Sequence, residues 1–157
     1  QIQDDIKNFS YKIETAKKSQ ATEDFMIIAR IESLILEKGM NDAIARAKAY
    51  INAGADAILI HSKQKTPKEV FEFSKKYNKF GSNYPLFCVP TSYSEVKESD
   101  LINNGFKAVI YANQLIRAAY PAMQKAAVNI LEHKRAYESE NNLMTINEIL
   151  DLIPGTR

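Results

Sequence analysis

Four short apolar runs alternate with helical patterns along the chain, and this alternation is the feature that most restricts its fold. The runs are FMIIAR (25–30), AILI (57–60), LFCV (86–89) and AVIY (108–111). Each run is almost continuously apolar, which is typical of strands covered on both faces, as in parallel sheets. Strands that alternate with helices favour a parallel sheet with right-handed helical crossovers.

The segments between the runs carry helix signals. NDAIARAKAYINAG places Ile44, Ala47 and Ile51 on one face, with Asp42 and Arg46 on the opposite, polar face. The pattern predicts an amphipathic helix whose charged side faces water.

Two further helices begin with recognisable caps. TPKEVFEFSKKY places Thr66, Pro67 and Glu69 as a capping box, and TINEILDLI repeats the pattern with Thr145 and Glu148. The expected order is therefore a helix, four strand–helix units and a short terminal helix.

Two architectures fit this order: an open doubly wound sheet, or part of a (β/α)8 barrel. Four units are half a barrel, and whole barrels typically need about 250 residues, whereas this chain has 157. No run is followed by G-x-G-x-x-G, so dinucleotide binding has no support, and there is no P-loop. We predict an α/β fold with residues 1–157 as a single domain.

Composition excludes some classes of partner. A formal net charge of +2 is too small to indicate nucleic acid or an anionic membrane surface. No apolar stretch approaches the roughly 20 residues of a membrane span. The single cysteine, Cys88, lies in an apolar run, so we expect a buried thiol, a reducing compartment and a cytoplasmic protein.

Polar residues follow all four apolar runs. In parallel α/β folds, ligands bind at the loops after the carboxyl ends of the strands. The residues found there are Arg30 and Glu32, then His61, then Thr91 and Tyr93, and finally Asn113. Arg30 and Glu32 are two residues apart, so both side chains of an extended strand point to one face.

Each of these residues also has a purely structural interpretation. Arg30 and Glu32 could form an ion pair, His61 could be a histidine near the core, and Thr91 and Asn113 could cap helices. Because four strand ends carry polar residues at the same edge, we favour a ligand-binding role over a structural one for Arg30 and His61.

The chemistry of this set is cationic and rich in hydrogen-bond donors. Arg30 offers a planar fork for a carboxylate or phosphoryl group, and His61 can donate or carry charge near neutral pH. This describes half a pocket for a small, multiply charged anion. We expect no direct metal ligands in the chain, because Glu32 alone would approach a metal only through water.

Four spaced motifs carry a family resemblance: EDFMIIARIESLI, GMNDAIARAKAYINAGADAILIHSK, PLFCVPTSY and VIYANQLIRAAYPAM. Together they resemble the C-terminal half of the phosphoenolpyruvate phosphomutase family, in the isocitrate lyase/phosphoenolpyruvate mutase superfamily. The resemblance implies that the runs are strands five to eight of a TIM-type barrel. It also implies an isomerase of phosphonate biosynthesis that interconverts phosphoenolpyruvate and phosphonopyruvate with Mg²⁺.

The resemblance also implies site roles and partners. Arg30 and His61 resemble substrate-binding residues, and Glu32 resembles an outer-shell acid near the metal. Thr91, Tyr93 and Asn113 are possible pocket-lining residues. Family members form oligomers by exchanging the last barrel helix, for which the helix from Gln114 is the candidate.

The resemblance leaves one large gap. The Mg²⁺-binding aspartates and the gating loop belong to the first half of the family barrel, and nothing here matches them. We therefore expect a fragment, a shortened chain or a split protein that is inactive alone and completed by an N-terminal half. Without the gating loop, the sequence does not distinguish a mutase from a phosphonopyruvate hydrolase. A third hypothesis is a non-catalytic half-barrel that serves as an assembly partner.

Overall fold

The computed structural model of the chain describes residues 2–153 and Gly155. These residues form six α-helices: Ile6–Lys18 (α1), Gly39–Asn52 (α2), Lys68–Tyr77 (α3), Glu98–Asn103 (α4), Gln114–His133 (α5) and Ile146–Asp151 (α6), with a 3-10 helix at Tyr137–Asn142. The strands are Ile28–Ile31 (β1), Ala57–Ile60 (β2), Leu86–Cys88 (β3) and Ala108–Val109 (β4). This order confirms the predicted succession of a helix, four strand–helix units and a short terminal helix.

The four strands form one parallel sheet in the order β1-β2-β3-β4. Ile31 pairs with Ile60, Ile60 with Cys88, and Cys88 with Val109. Because this register is even, the carboxyl ends of all four strands lie along one edge of the sheet. The polar residues that follow the strands are therefore delivered to the same side.

The prediction that every strand is covered on both faces holds for β2 but is wrong for β1. All four residues of β2 are buried. In β1, Ala29 and Ile31 are buried, whereas Ile28 and Arg30 are exposed. As an edge strand, β1 packs one face into the core, and the described residues leave its other face open.

Large side chains from the helices fill the space against the sheet. Tyr50, Phe73, Tyr77 and Leu101 are each at most 1 % exposed and belong to one core cluster with the sheet residues. Complete burial of a side chain of this size contributes about 1.5–3 kcal/mol. This core holds the sheet edge that carries the polar residues.

The prediction that Arg46 lies on the polar face of α2 is wrong. Arg46 is only 7 % exposed and lies among the buried residues of this helix, beside Ala43, Ala47 and Tyr50. Its guanidinium is held by a hydrogen-bond network, so the charge can be buried. Periodicity alone assigns a charged side chain to water, because it cannot see such partners.

One of the two predicted capping boxes is correct. At α6, Thr145 accepts the Glu148 N–H and the Glu148 side chain accepts the Thr145 N–H. At α3 the N-cap is Pro67 and no side chain caps the helix. The Glu69 carboxylate instead accepts a 2.5 Å hydrogen bond from the hydroxyl of the buried Ser62.

The chain divides into two compact units, residues 1–112 and 113–157. The first contains the sheet and α1 to α4. The second contains α5, which ends at the left-handed Lys134 (φ +57°), then the 3-10 helix and α6. In this unit the buried Ser139 hydroxyl donates to the Ala126 carbonyl at 3.4 Å. None of the described helices is both long and apolar enough to cross a membrane.

Candidate functional site

Arg30 and Glu32 form an ion pair at the carboxyl end of β1. The Arg30 Nε donates to the Glu32 carboxylate, and the two side chains are 52 % and 13 % exposed. The ion pair that the structural interpretation predicted is therefore formed. Arg30 can still bind a ligand, because the contact is made by Nε and half of the side chain is exposed to solvent.

His61 follows β2 directly and is half-buried. Its Nδ1 is buried and has no hydrogen-bond partner among the described residues. Burial lowers the pKa of His61, and the positive charge of Arg30 lowers it further, while Glu32 and the Val89 backbone act in the opposite direction. The imidazole is therefore neutral near pH 7, and it lies within electrostatic range of the Arg30–Glu32 pair.

The segment after β3 contributes two hydroxyl groups. The Thr91 N–H donates to the Val89 carbonyl at 2.8 Å in a tight turn. The Thr91 Oγ1 and the Tyr93 hydroxyl are both buried, and neither makes a hydrogen bond of good geometry within the described part of the chain; the Tyr93 hydroxyl lies beside the Cys88 thiol and the Val89 backbone. Tyr93 is 1 % exposed and its ring belongs to the hydrophobic core, so only its hydroxyl could bind a polar ligand.

The thiol and the phenol of this region are unreactive. Burial raises the pKa of Cys88 to about 12, so the thiol stays protonated and is not a nucleophile. Burial also raises the pKa of Tyr93, and the neighbouring Cys88 thiol adds to that shift. The site therefore offers neutral donors and one guanidinium, not a covalent catalyst.

Three of the residues that the sequence predicted share an unusual property. His61, Thr91 and Tyr93 each bury a polar atom that lacks a partner among residues 2–153 and 155. More than nine in ten buried polar groups in folded proteins are hydrogen-bonded, and an unpaired one costs about 1–3 kcal/mol. Polar atoms left in this state at the strand ends are suited to a polar ligand, and His61 also lies within electrostatic range of the Arg30 guanidinium.

Asn113 and Lys63 are placed differently. Asn113 is the N-cap of α5 in the second unit, where its side chain makes no cap hydrogen bond. Lys63 pairs with Glu37 at 2.7 Å and so links the loops after β1 and β2. Sequence analysis did not find this pair, because its two members are 26 positions apart and each resembles an ordinary surface charge.

The described residues do not offer a metal site of their own. They contain no group of three or more His, Cys, Asp or Glu side chains placed to hold a metal ion. Glu32, the acid that the resemblance places near a metal, is engaged with Arg30. A groove of about 550 Å³ between α3 and α4 contains none of the predicted site residues.

A parallel sheet of strand–helix units, with donors converging after the strands, defines half of a TIM-type barrel with its ligand site at the carboxyl edge. The sequence model of the family described as phosphoenolpyruvate phosphomutase matches residues 1–131. The chain therefore belongs to the phosphoenolpyruvate phosphomutase family, as the sequence motifs predicted.

Curated and solved relatives agree with this assignment. Phosphonopyruvate hydrolase from Variovorax sp. (strain Pal2) is 40 % identical over 148 residues, which are 94 % of this chain and 50 % of the relative. The crystal structure of phosphoenolpyruvate phosphomutase from Streptomyces platensis subsp. rosaceus has a TM-score of 0.87 and 36 % identity, covering 97 % of this chain and 52 % of that one.

A crystal structure of phosphonopyruvate hydrolase in complex with oxalate and Mg²⁺ has a TM-score of 0.84 and 39 % identity, covering 95 % of this chain and 52 % of that one. The chain thus spans about half the length of the relatives it matches. Its four-stranded parallel sheet corresponds to half of the barrel in these structures, which confirms the predicted fold class.

Proposed function

We propose that this chain is the C-terminal half of a Mg²⁺-dependent phosphoenolpyruvate mutase, with residues 1–157 forming one partial-barrel domain. In the reaction, the P–O bond of phosphoenolpyruvate breaks and a P–C bond forms at the methylene carbon, which gives phosphonopyruvate without net gain or loss of atoms. The observation that carries the proposal is the buried, unpartnered Nδ1 of His61 within electrostatic range of Arg30, with a second unpartnered polar atom, Thr91 Oγ1, after the next strand.

The proposed roles follow from the charges of the groups. The Arg30 guanidinium binds a pair of carboxylate or phosphoryl oxygens, and the neutral His61 ring donates an N–H to a phosphoryl oxygen. Phosphoryl transfer depends almost entirely on positioning and electrostatic stabilisation, so such donors are sufficient contributions from this half. Thr91 and Tyr93 line the same edge, and Asn113 is the remaining candidate for the pocket wall.

Magnesium is proposed for the complete enzyme and not for this chain alone. The related hydrolase crystallised with oxalate and Mg²⁺ supports a metal-assisted reaction. The described residues do not fit direct coordination, so the ligands would come from the other half of the barrel. Glu32 would then be an outer-shell acid, close to the metal but bonded to Arg30.

Phosphonopyruvate hydrolysis is the second candidate function. The Variovorax hydrolase, which is 40 % identical to this chain, supports it directly. Hydrolysis would use the same substrate and the same donors, but water would take up the phosphoryl group as the P–C bond breaks, which gives phosphate and pyruvate once the released carbon gains a proton. The residues of this half serve both reactions equally, so the choice of acceptor would be made by the half that holds the gating loop.

Assembly through α5 is the corresponding proposal for partners. No residue of α5 is buried, and it exposes several large apolar side chains: Leu115, Ile116, Tyr120, Met123 and Leu131. Exposed apolar surface of this kind is typical of protein–protein contacts. We propose a homo-oligomer that exchanges this helix, or pairing with a complementary N-terminal half, in a cytoplasmic enzyme that acts on a small anionic substrate.

The test is a pair of hybrid enzymes followed by ³¹P NMR. Residues 2–153 replace the matching half of the Variovorax hydrolase in one hybrid and of the Streptomyces platensis mutase in the other. With Mg²⁺ and phosphonopyruvate, we expect turnover by both hybrids and none by the 157-residue chain alone. Free phosphate from the first hybrid and phosphoenolpyruvate from the second would show that this half supports both reactions.

Two outcomes would contradict the proposal. Hybrids that fold and bind Mg²⁺ but do not turn over would support the non-catalytic assembly partner. Turnover by the chain alone would show that it needs no second half.

A further inference from the structure

Arg46 carries a buried charge that the proposed chemistry does not use. Its Nε donates to Asp42 Oδ2 at 2.9 Å, and its Nη1 donates to the Tyr50 hydroxyl at 2.7 Å and to the Asp4 carbonyl at 2.8 Å. Burial alone would lower the pKa of Arg46, but the contacts with Tyr50 and Asp42 raise it. The guanidinium is therefore charged, and its contacts join α2 to the residues that precede α1.

The same network continues to the loop after β1. Asp42 Oδ2 also accepts the Ser33 hydroxyl at 2.6 Å, and Ser33 is completely buried. The Gln3 side-chain amide donates to that hydroxyl at 3.3 Å. One carboxylate oxygen thus bridges the buried arginine and the loop, because Asp42 Oδ2 accepts from both.

This loop begins with a residue of the candidate site. Ser33 directly follows Glu32, whose carboxylate pairs with Arg30. Within the loop, the Leu36 N–H donates to the Glu32 carbonyl at 2.9 Å and the Lys38 N–H to the Ser33 carbonyl at 2.8 Å. The loop is therefore a folded turn whose buried anchor is the Ser33–Asp42 hydrogen bond.

We propose that Arg46 is a positioning residue: through Asp42 and Ser33 it fixes the loop that carries Glu32, and through Asp4 it fixes the segment before α1 against that loop. Glu32 then holds the Arg30 guanidinium in one orientation for a substrate. This inference rests on the proposed function for its catalytic consequence, but its structural part can be measured separately.

Hydrogen exchange on the 157-residue chain tests the structural part. Ser33→Ala cuts the link to the loop and leaves the Arg46–Asp42 pair intact, while Arg46→Met removes the three guanidinium hydrogen bonds at similar side-chain volume. We expect amide exchange to rise about tenfold or more over residues 32–38 in both variants, and over residues 3–5 in Arg46→Met, with 57–60 and 86–88 unchanged. Lys48→Met, an exposed position of the same helix, is the matched control.

Steady-state kinetics of the Variovorax hybrid test the catalytic part. A misplacement of about 1 Å can cost about 10²-fold in rate, so we expect Ser33→Ala to lower kcat by about tenfold, with a smaller change in KM. Arg46→Lys retains the charge but loses the planar fork, and should restore part of the activity that Arg46→Met loses. Lys48→Met should leave both constants unchanged.

The outcomes separate the two proposals. Normal kcat and KM in Ser33→Ala, despite faster loop exchange, would overturn the positioning role and leave a structural network. Amide exchange that rises uniformly, or not at all, in Ser33→Ala would overturn the inference. If Arg46→Met does not fold, the result for Ser33→Ala is sufficient to test it. An unsubstituted hybrid without activity counts against the proposed function, and the exchange pattern then decides the inference.

Discussion

The two ends of the parallel sheet differ in how fully their buried or partly buried polar groups are paired. At the amino end, the Asp56 carboxylate accepts the Ile27 N–H at 2.8 Å and the Lys17 ammonium at 2.8 and 3.1 Å. At the carboxyl end, His61 Nδ1 and Thr91 Oγ1 are buried with no hydrogen-bond partner in the described chain.

Under the proposed function, this difference separates stability from ligand binding within one sheet. Paired groups at the amino end join α1 to the strands and can only stabilise the fold. Unpaired groups at the carboxyl end cost stability in the free chain, and a ligand that supplies the missing partners recovers that cost. This division matches the general asymmetry of parallel barrels, in which sites occur at the carboxyl face.

The largest expected effect is the loss of activity without loss of stability at the carboxyl end. Arg30→Ala in the Variovorax hybrid should lower kcat/KM by about 10²–10³-fold, the usual effect of removing a preorganised donor. The thermal midpoint should barely move, since the side chain is half-exposed. Lys65→Ala, an exposed position in the loop after β2, is the control. Full activity in Arg30→Ala would remove Arg30 from the site.

The amino end should respond in the reverse way. Asp56→Ala leaves the Ile27 N–H and the Lys17 ammonium without their partner and should cost about 1–3 kcal/mol of unfolding free energy. Exposed Asp24→Ala should cost much less. Urea unfolding of the 157-residue chain measures both, and equal costs would contradict the proposed amino-terminal role.

The Asp56 carboxylate should also affect how the free energy of unfolding depends on pH in the acid range. Burial acts to raise the pKa of Asp56, but the Ile27 N–H and Lys17 outweigh it and lower the pKa below 3.8. The stabilisation is therefore complete above the unfolded pKa and is lost as pH falls through the folded one. Asp56→Ala should lose stability less steeply than the unsubstituted chain below about pH 5.

A smaller effect tests the unpaired hydroxyl. Thr91→Val removes a buried Oγ1 that has no partner among the described residues, so stability should stay the same or rise by up to about 1 kcal/mol. Ser74→Ala is the matched control, because its hydroxyl donates to the Asn104 carbonyl at 2.5 Å and its loss should cost about 1 kcal/mol. A clear loss in Thr91→Val, measured by urea unfolding, would mean that Thr91 is structurally paired.

The smallest effect is the pH dependence that His61 imparts. Its pKa is lower in the folded chain than the ordinary 6.5, so between the two values the unfolded chain binds more protons and stability rises with pH. His61→Gln should flatten this slope below pH 6.5, while the two stability curves run parallel above pH 7.5. Calorimetric midpoints from pH 5 to 8 measure it, and an unchanged slope would exclude a depressed pKa.

Much of the fold could be predicted because its signals are local. The apolar run 57–60 coincides with β2, and the remaining runs overlap β1, β3 and β4. Two helix ends also have a local signal: Gly54 (φ +99°) follows α2 and Gly105 (φ +87°) follows α4, each in a conformation that suits glycine. The predicted edge residues Arg30, Glu32 and His61 do lie together, because parallel strands in even register bring their ends to one side.

The predictions that failed involve contacts that the local pattern does not show. Arg46 looked like a surface charge because its Asp4 partner is 42 positions away, and Glu69 looked like a cap because Ser62 lay outside the local pattern. The sequence did not predict the exposed face of β1, because an apolar run does not indicate whether both faces of the strand are covered.

The sequence by itself determined the element order, the family and the set of polar residues after the strands, since each is written in local spacing and motifs. Only the tertiary structure decided which of those groups are paired. Burial, the contact of Arg46 with Asp4 and the unpartnered atoms of His61 and Thr91 depend on where distant segments lie. The division between a stabilising and a ligand-ready end of the sheet arises there, because a hydrogen bond is a short-range contact that no local pattern encodes.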